Sequence, residues 1–203
     1  MVYPAQFPSF THAEYLAFER HATEKHEYLD GVIYAMAGSS PEHSTITANV
    51  GEILTRQIRG TNCRPFTSDM KTRCLPFAEA AASKKGLYAY PDFVVVCGQP
   101  VFQDQQKDVL TNPKLIVEVL SDSTQNYDRE EKFRRYQQLA SFTDYLLIAQ
   151  DRYCVEHHYK QADGQWLKTV VTDPAGSVLI ASLNCTIPLA ELYEWVKFPS
   201  AIK

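Results

Sequence analysis

The sequence predicts an α/β fold, with a mixed β-sheet of roughly five to seven strands flanked by helices. Three observations carry this prediction. Two dense apolar runs, one ending Phe93-Val94-Val95-Val96-Cys97 and the other containing Leu115-Ile116-Val117, suit central strands covered on both faces. Ile46, Val50, Ile53, Leu54 and Ile58 recur at helical spacing. From 114 to 149 the pattern reads strand, helix, strand, which implies a right-handed crossover if the two strands are parallel neighbours.

Each element has a local cause. Thr11 and Glu14 form a capping box, so a helix follows with Tyr15, Leu16, Phe18 and Ala22 on its apolar side. The segment His26 to Met36 alternates around Asp30-Gly31, a pair suited to a hairpin turn whose two central residues need positive φ. Ser40-Pro41 sets an N-cap before a proline at the first helical position, and that helix runs to about Arg59 and stops at Gly60. Cys63 to Leu75 reads as extended with a bend near Asp69, and 76–86 as a surface insertion. Tyr88 to Cys97 and Lys114 to Leu120 supply the apolar runs, with Pro100 to Thr111 as the polar loop between them. Asp128 and Glu131 repeat the capping pattern and open a helix over about Arg129 to Ala140, burying Phe133, Tyr136, Leu139 and Ala140. Asp144 to Ala149 is a strand, Tyr153 to Tyr159 and Gln165 to Val171 a hairpin turning at Asp163-Gly164, and Pro188 to Val196 a short amphipathic helix.

Composition bounds the function. A chain of 203 residues fits a single domain spanning 1–203. With 45% apolar residues it is not a disordered chain. No run approaches the ~18 apolar residues of a membrane helix, and residues 1–10 lack the basic-then-apolar pattern of a secretory signal. The net charge of −4 does not advertise nucleic acid, although a local basic groove is compatible with an acidic total. Five cysteines without a CxxC pair argue against a disulfide framework and predict reduced, mostly buried thiols in a cytoplasmic protein. No GxxxxGKS loop, GxSxG elbow or HExxH pair is present, and His157-His158 point to opposite faces of their strand.

Two acids are out of place among the apolar runs. Asp92 directly precedes Phe93-Val94-Val95-Val96, and Glu118 interrupts Leu-Ile-Val-Glu-Val-Leu. A buried carboxylate is costly unless paired, hydrogen-bonded or bound to a cation. Two readings stand on the residues alone. Asp92 caps a strand and Glu118 pairs with a lysine or arginine of a covering helix, or the two share a hard cation such as Mg²⁺. Lys132, Tyr136 and Leu139, spaced by four and three, share a helix face that reaches toward these acids. Arg129, Arg134 and Arg135 give the same helix a basic exposed side, diluted by Glu130 and Glu131.

At this point the chain resembles the Uma-type restriction endonucleases of the PD-(D/E)XK nuclease superfamily. The residues that carry the resemblance run in order: Glu27-Tyr28-Leu29-Asp30-Gly31, His43, Ser68-Asp69-Met70-Lys71, Tyr90-Pro91-Asp92, Pro113 through Ser121, Ser123-Thr124, and Tyr127-Asp128-Arg129 through Lys132 to Tyr136. The resemblance extends over roughly residues 10 to 195 and implies a restriction-endonuclease-like core. It implies that Asp92 and Glu118 ligate one or two Mg²⁺ or Mn²⁺ ions, with the Val119 carbonyl and Asp69 as further ligands. One departure stands out: the superfamily's usual lysine lies two residues after the acid, where this chain has Leu120. The resemblance then moves the lysine's role to Lys132, which would orient the attacking water or stabilise the phosphate. The expected activity is hydrolysis of DNA phosphodiester bonds by a homodimer, with no membrane partner and no organic cofactor. The alternative is a catalytically inactive binding or interaction module on the same fold, which the leucine at 120 favours. Glu27 and His43 belong to the motif with no role that the residues alone assign.

Overall fold

The computed structural model describes residues 9–74 and 84–198. Helix α1 (His12–Glu19) opens with both halves of its capping box in place, the Glu14 carboxylate accepting the Thr11 backbone N–H at 2.8 Å. Strands β1 (His26–Leu29) and β2 (Val32–Ala35) form the hairpin expected at Asp30-Gly31, with φ of +48° and +95° at the two turn residues. Helix α2 (Pro41–Ile58) is capped by Ser40, whose hydroxyl accepts the His43 N–H at 3.0 Å. Then come β3 (Cys63–Thr67), β4 (Lys71–Cys74), β5 (Leu87–Ala89), β6 (Phe93–Cys97), β7 (Val109–Leu110) and β8 (Leu115–Leu120). A crossover of α3 (Gln125–Tyr127), a π turn (Asp128–Lys132) and α4 (Phe133–Tyr136) leads to β9 (Asp144–Ala149). The chain ends with β10 (Val155–Lys160), β11 (Trp166–Val171), β12 (Ser177–Ile180), β13 (Cys185–Pro188) and α5 (Leu189–Leu192).

The strands form three sheets rather than one. The central sheet has the order β11-β10-β9-β8-β6-β3 and is mixed, because β8 and β9 run parallel while its other pairs are antiparallel. A second sheet has the order β2-β1-β5-β4-β7, and β12 and β13 form a ribbon. The split falls inside a single expected run: Tyr88 belongs to the second sheet and Phe93 to the first. Pro91, with no N–H to donate, sits at the break.

Alternation along β8 sets up the layers. Leu115, Val117 and Val119 face α2, packing with Ile46, Val50, Ile53 and Leu54, together with the ribbon and α5. Ile116 and Leu120 face the other way, toward Tyr136, Phe142, Tyr145 and the second sheet's Leu87 and Ala89. Beyond the second sheet, α1 buries Tyr15 and Leu16 against Tyr28, Ile33 and Tyr88. Glu118 lies between Ile116 and Leu120 on the strand and therefore on the crossover side.

Several expectations are corrected. Asp128 is not an N-cap: the crossover begins earlier, and Asp128 lies inside it with helical backbone and a buried side chain. The crossover helix ends at Tyr136 and Ala140 is exposed, so the buried stripe is Tyr136 with partly buried Phe133 and Leu139. The basic exposed side is neutralised, since Arg129 pairs with Glu156, Arg134 with Glu131, and Arg135 with Asp30 and Glu131. Cys63 and Cys97 face each other across the β3–β6 pair and are joined as a disulfide, where reduced thiols were expected; Cys74, Cys154 and Cys185 are free and buried. The expected polar loop at 100–111 contains β7, and the helix expected over Pro188 to Val196 is confined to Leu189–Leu192, following β12 and β13. Residues 76–83, most of the expected insertion, lie outside the described residues.

The β1–β2 turn is tightly specified. A Cβ on Gly31 would come within 2.5 Å of Ser9 Oγ and would have to adopt positive φ. Gly31→Ala is expected to lower unfolding free energy by about 1–3 kcal/mol in urea titrations. Gly38→Ala, where a Cβ meets nothing within 4 Å, should stay within about 0.5 kcal/mol of the parent.

Candidate active site

The site is built where the central sheet's strand β8 passes between α2 and the crossover. The antiparallel register of β6 and β8 pairs Phe93 with Val117, so one further step sets Asp92 opposite Glu118. Asp92 Oδ2 accepts the Val119 backbone N–H at 2.7 Å, which ties the acid that precedes β6 to the strand carrying Glu118. His43, in the first turn of α2, brings Nε2 to 3.2 Å from the same oxygen.

Glu118 is 4% exposed, and its Oε1 accepts from Tyr136 Oη at 3.1 Å and from Lys132 Nζ at 3.2 Å. The Lys132 ammonium is shared. It lies 3.0 Å from Glu27 Oε1 and 3.1 Å from Asp128 Oδ1, with the Tyr127 ring centroid 5.6 Å away. Glu27 arrives from β1 and is held by the Tyr90 backbone N–H at 3.2 Å. One buried cation therefore binds three buried carboxylates from β1, β8 and the π turn, while the Asp92 carboxylate is held separately by the Val119 N–H and His43.

The helix that presents Lys132 is bolted to the β1–β2 hairpin. Arg135 donates to both Asp30 oxygens, at 3.0 and 2.5 Å, and Asp30 also accepts the Gly86 N–H at 2.7 Å. The motif Glu27-Tyr28-Leu29-Asp30-Gly31 thus touches the crossover twice, through Glu27 on Lys132 and through Asp30 on Arg135. The π turn has the wider i→i+5 bonding, so Asp128, Lys132 and Tyr136, four apart, all reach the same buried region.

Electrostatics follow from four acids around one ammonium. Burial, and then the fields of Asp128, Asp92 and Glu27, push the Glu118 pKa well up, against the opposing pull of Lys132. Burial works against a charged Lys132 and is the largest single influence, yet Asp128, Glu118 and Glu27 together hold its pKa well above the usual lysine value. For His43, burial is again the largest influence and disfavours the charged ring. The hydrogen bond to Asp92, the fields of Asp92 and Asp128, and the Val119 carbonyl outweigh it and raise the pKa. The cluster gathers four carboxyl groups around one ammonium and one imidazole.

The donor set suits a small hard cation. Mg²⁺ is typically held by one or two carboxylates and keeps several waters. Asp92 Oδ1 and Glu118 Oε2 take no part in the contacts described above, and Asp92 is partly exposed. Among the described residues no three His, Cys, Asp or Glu side chains close into an all-protein cage. Asp128 Oδ1 is buried with no hydrogen-bond donor, its close neighbour being the Lys132 ammonium.

Of the residues named from sequence, Asp92, Glu118, Val119 and Lys132 come together. Asp69 does not: it sits on the β3–β4 turn with a side chain 84% exposed, and its carboxylate pairs with Lys25 at 2.6 Å. Glu27, His43, Asp128 and Tyr136 join the cluster. The signal for Asp128 was its spacing of four residues from Lys132 and eight from Tyr136, masked by its likeness to an N-cap. His157 and His158 take opposite faces, the first bonding Asp144 at 2.9 Å and the second packing on the Phe133 ring.

Charge removal from this cluster should act in two directions. Lys132→Ala leaves three buried carboxylates without their cation and is expected to cost about 3–5 kcal/mol of folding stability. Glu118→Gln keeps an acceptor for Lys132 and Tyr136 while removing a carboxyl whose charged form burial and the neighbouring acids disfavour. It should raise the melting midpoint at neutral pH, by about 2–4 °C for each kcal/mol gained at this chain length. Differential scanning calorimetry of both variants checks the opposite signs.

Comparison with known proteins agrees with this architecture. The Uma2 family model, described as "Putative restriction endonuclease", matches residues 12–190. The uncharacterized protein sll1609 of Synechocystis sp. (strain ATCC 27184 / PCC 6803 / Kazusa) is 41% identical over 159 residues, covering 78% of this chain and 85% of that protein. The uncharacterized protein slr1290 of the same organism is 37% identical over 163 residues, covering 80% of each. A crystal structure titled as a "putative nuclease belonging to DUF820" from Anabaena variabilis ATCC 29413 matches with a TM-score of 0.73 at 16% identity, covering 93% of this chain and 99% of that one. At that identity the likeness speaks for the fold, which is restriction-endonuclease-like. With the family model spanning nearly all of the described fold, this chain belongs to the Uma2 family.

Proposed function

We propose that this protein is a divalent-metal-dependent endonuclease that hydrolyses phosphodiester bonds in DNA. The observation that carries the reading is the convergence of Asp92 and Glu118 across adjacent strands, with the Lys132 ammonium 3.2 Å from Glu118. Family membership supports the reaction class, and the excess of acids over cations supports a cation at the site. Asp92 Oδ1, Glu118 Oε2 and the Val119 carbonyl are the groups we assign to hold Mg²⁺ or Mn²⁺. Such an ion, when bound, acidifies a water and neutralises charge on the phosphate under attack.

The chain's own residues do the rest. The Val119 N–H and His43 fix the Asp92 carboxylate, and Tyr136 fixes that of Glu118. Lys132, held by Glu27 and Asp128, keeps a positive charge beside Glu118 where it orients the nucleophile or offsets charge on the phosphate. Its place on the crossover helix stands in for the lysine that Leu120 lacks. We further propose that the protein acts in the cytoplasm as a homodimer, since two symmetric copies can address both strands of a duplex. No helix among the described residues is long and apolar enough to cross a membrane.

A second reading has its own support. His43 already contacts Asp92 and Lys132 already contacts Glu118, an arrangement that a non-catalytic binding module would also keep. Incubation of duplex DNA with the purified protein and Mg²⁺ or Mn²⁺ separates the two. Nicking or cutting is expected, with loss of activity to background in folded Asp92→Ala and Glu118→Ala. Cleavage that survives both substitutions removes the assignment, and a folded protein without metal affinity or cleavage supports the binding module.

A further inference from the structure

We infer that the acid cluster takes one divalent ion per chain, because the Lys132 ammonium occupies the place of a second cation. The inference rests on the metal-dependent reading above and specifies its stoichiometry. The ammonium lies 3.0, 3.1 and 3.2 Å from oxygens of Glu27, Asp128 and Glu118, and the lysine is 5% exposed. Two-metal sites place their ions about 3.5–4 Å apart and bind both the attacking and the leaving oxygen. Here Glu118 gives Oε1 to both the ammonium and the Tyr136 hydroxyl, and Oε2 takes part in neither contact.

Three independent elements fix the lysine's position. Glu27 is set by β1 and the Tyr90 N–H, Asp128 by the π turn, and the helix itself by the Arg135–Asp30 pair. Asp128 Oδ1 is buried with no hydrogen-bond donor and so depends on the charge of Lys132. A second divalent ion on this side would have to displace an ammonium from three carboxylates at once. With Lys132 in place, it would instead press against a like charge in a region shielded from water. One divalent ion and the ammonium leave the four acids close to neutral.

Manganese binding to the full-length protein tests this by calorimetric stoichiometry and electron paramagnetic resonance. The parent should saturate at one Mn²⁺ per chain with the spectrum of an isolated ion. Lys132→Met, measured at saturating Mn²⁺, should take a second ion and show the spectrum of a coupled pair. Glu27→Gln keeps the lysine and should retain one ion, which keeps the test decisive if Lys132→Met does not fold. Two ions in the parent, one in folded Lys132→Met, or loss of the ion in Glu27→Gln overturns the inference and leaves the nuclease reading intact. A folded parent that binds no Mn²⁺ overturns the metal-dependent reading itself.

Discussion

The buried Lys132 ammonium organises the acid cluster of this protein. Lys132 bridges Glu27, Asp128 and Glu118, drawing β1, the crossover and the central strand β8 onto one point. Such a group is costly to bury, and it is tolerated because each of its neighbours is a carboxylate that would be worse off without it. Asp92 lies outside that ammonium's contacts and is held instead by the His43 imidazole and the Val119 N–H. Glu118 serves the ammonium with one oxygen, and its other oxygen is the one we assign to a metal ion under the proposed function.

The rest of the fold holds that geometry. The β6–β8 register sets the two acids opposite each other, and the Val119 N–H locks Asp92 to the neighbouring strand. The second sheet's role is to deliver Glu27 and Asp30, two acids three residues apart that hold the crossover by Lys132 and Arg135. The π turn makes room for Asp128, Lys132 and Tyr136 to face inward together. Mobility in this helix would therefore be felt at the site, and the Arg135–Asp30 pair restrains it.

Much of this was legible beforehand. The capping box at Thr11, the Asp30-Gly31 turn, the Ser40-Pro41 start of α2 and the parallel pair β8–β9 all follow from local chemistry with little competition. Asp92 and Glu118 were conspicuous because charges at or inside apolar runs are expensive, and Lys132 because its spacing from Tyr136 and Leu139 sets it on the face turned toward them. What escaped reading depended on tertiary context. Asp128 has the spacing of an N-cap, and only the buried lysine beside it decides for the interior. The division of Tyr88–Cys97 between two sheets hinges on a break at Pro91 that an apolar pattern does not display. The Cys63–Cys97 bond needs the β3–β6 register, which no spacing of cysteines reveals. Asp69 looked like a ligand because it is an acid between two strands of the motif, yet its turn points it to solvent and Lys25.

The central proposal is that Asp92 and Glu118 together grip a divalent cation. Thermal unfolding in the presence and absence of millimolar Mn²⁺ tests it most directly, because a ligand that binds only the native state raises the transition by linkage. The account predicts an upward shift of several degrees (a gain of about 3 kcal/mol at a hundredfold excess over the dissociation constant) that disappears in Asp92→Asn. A transition that Mn²⁺ leaves unmoved, or one that moves equally in Asp92→Asn, would contradict it.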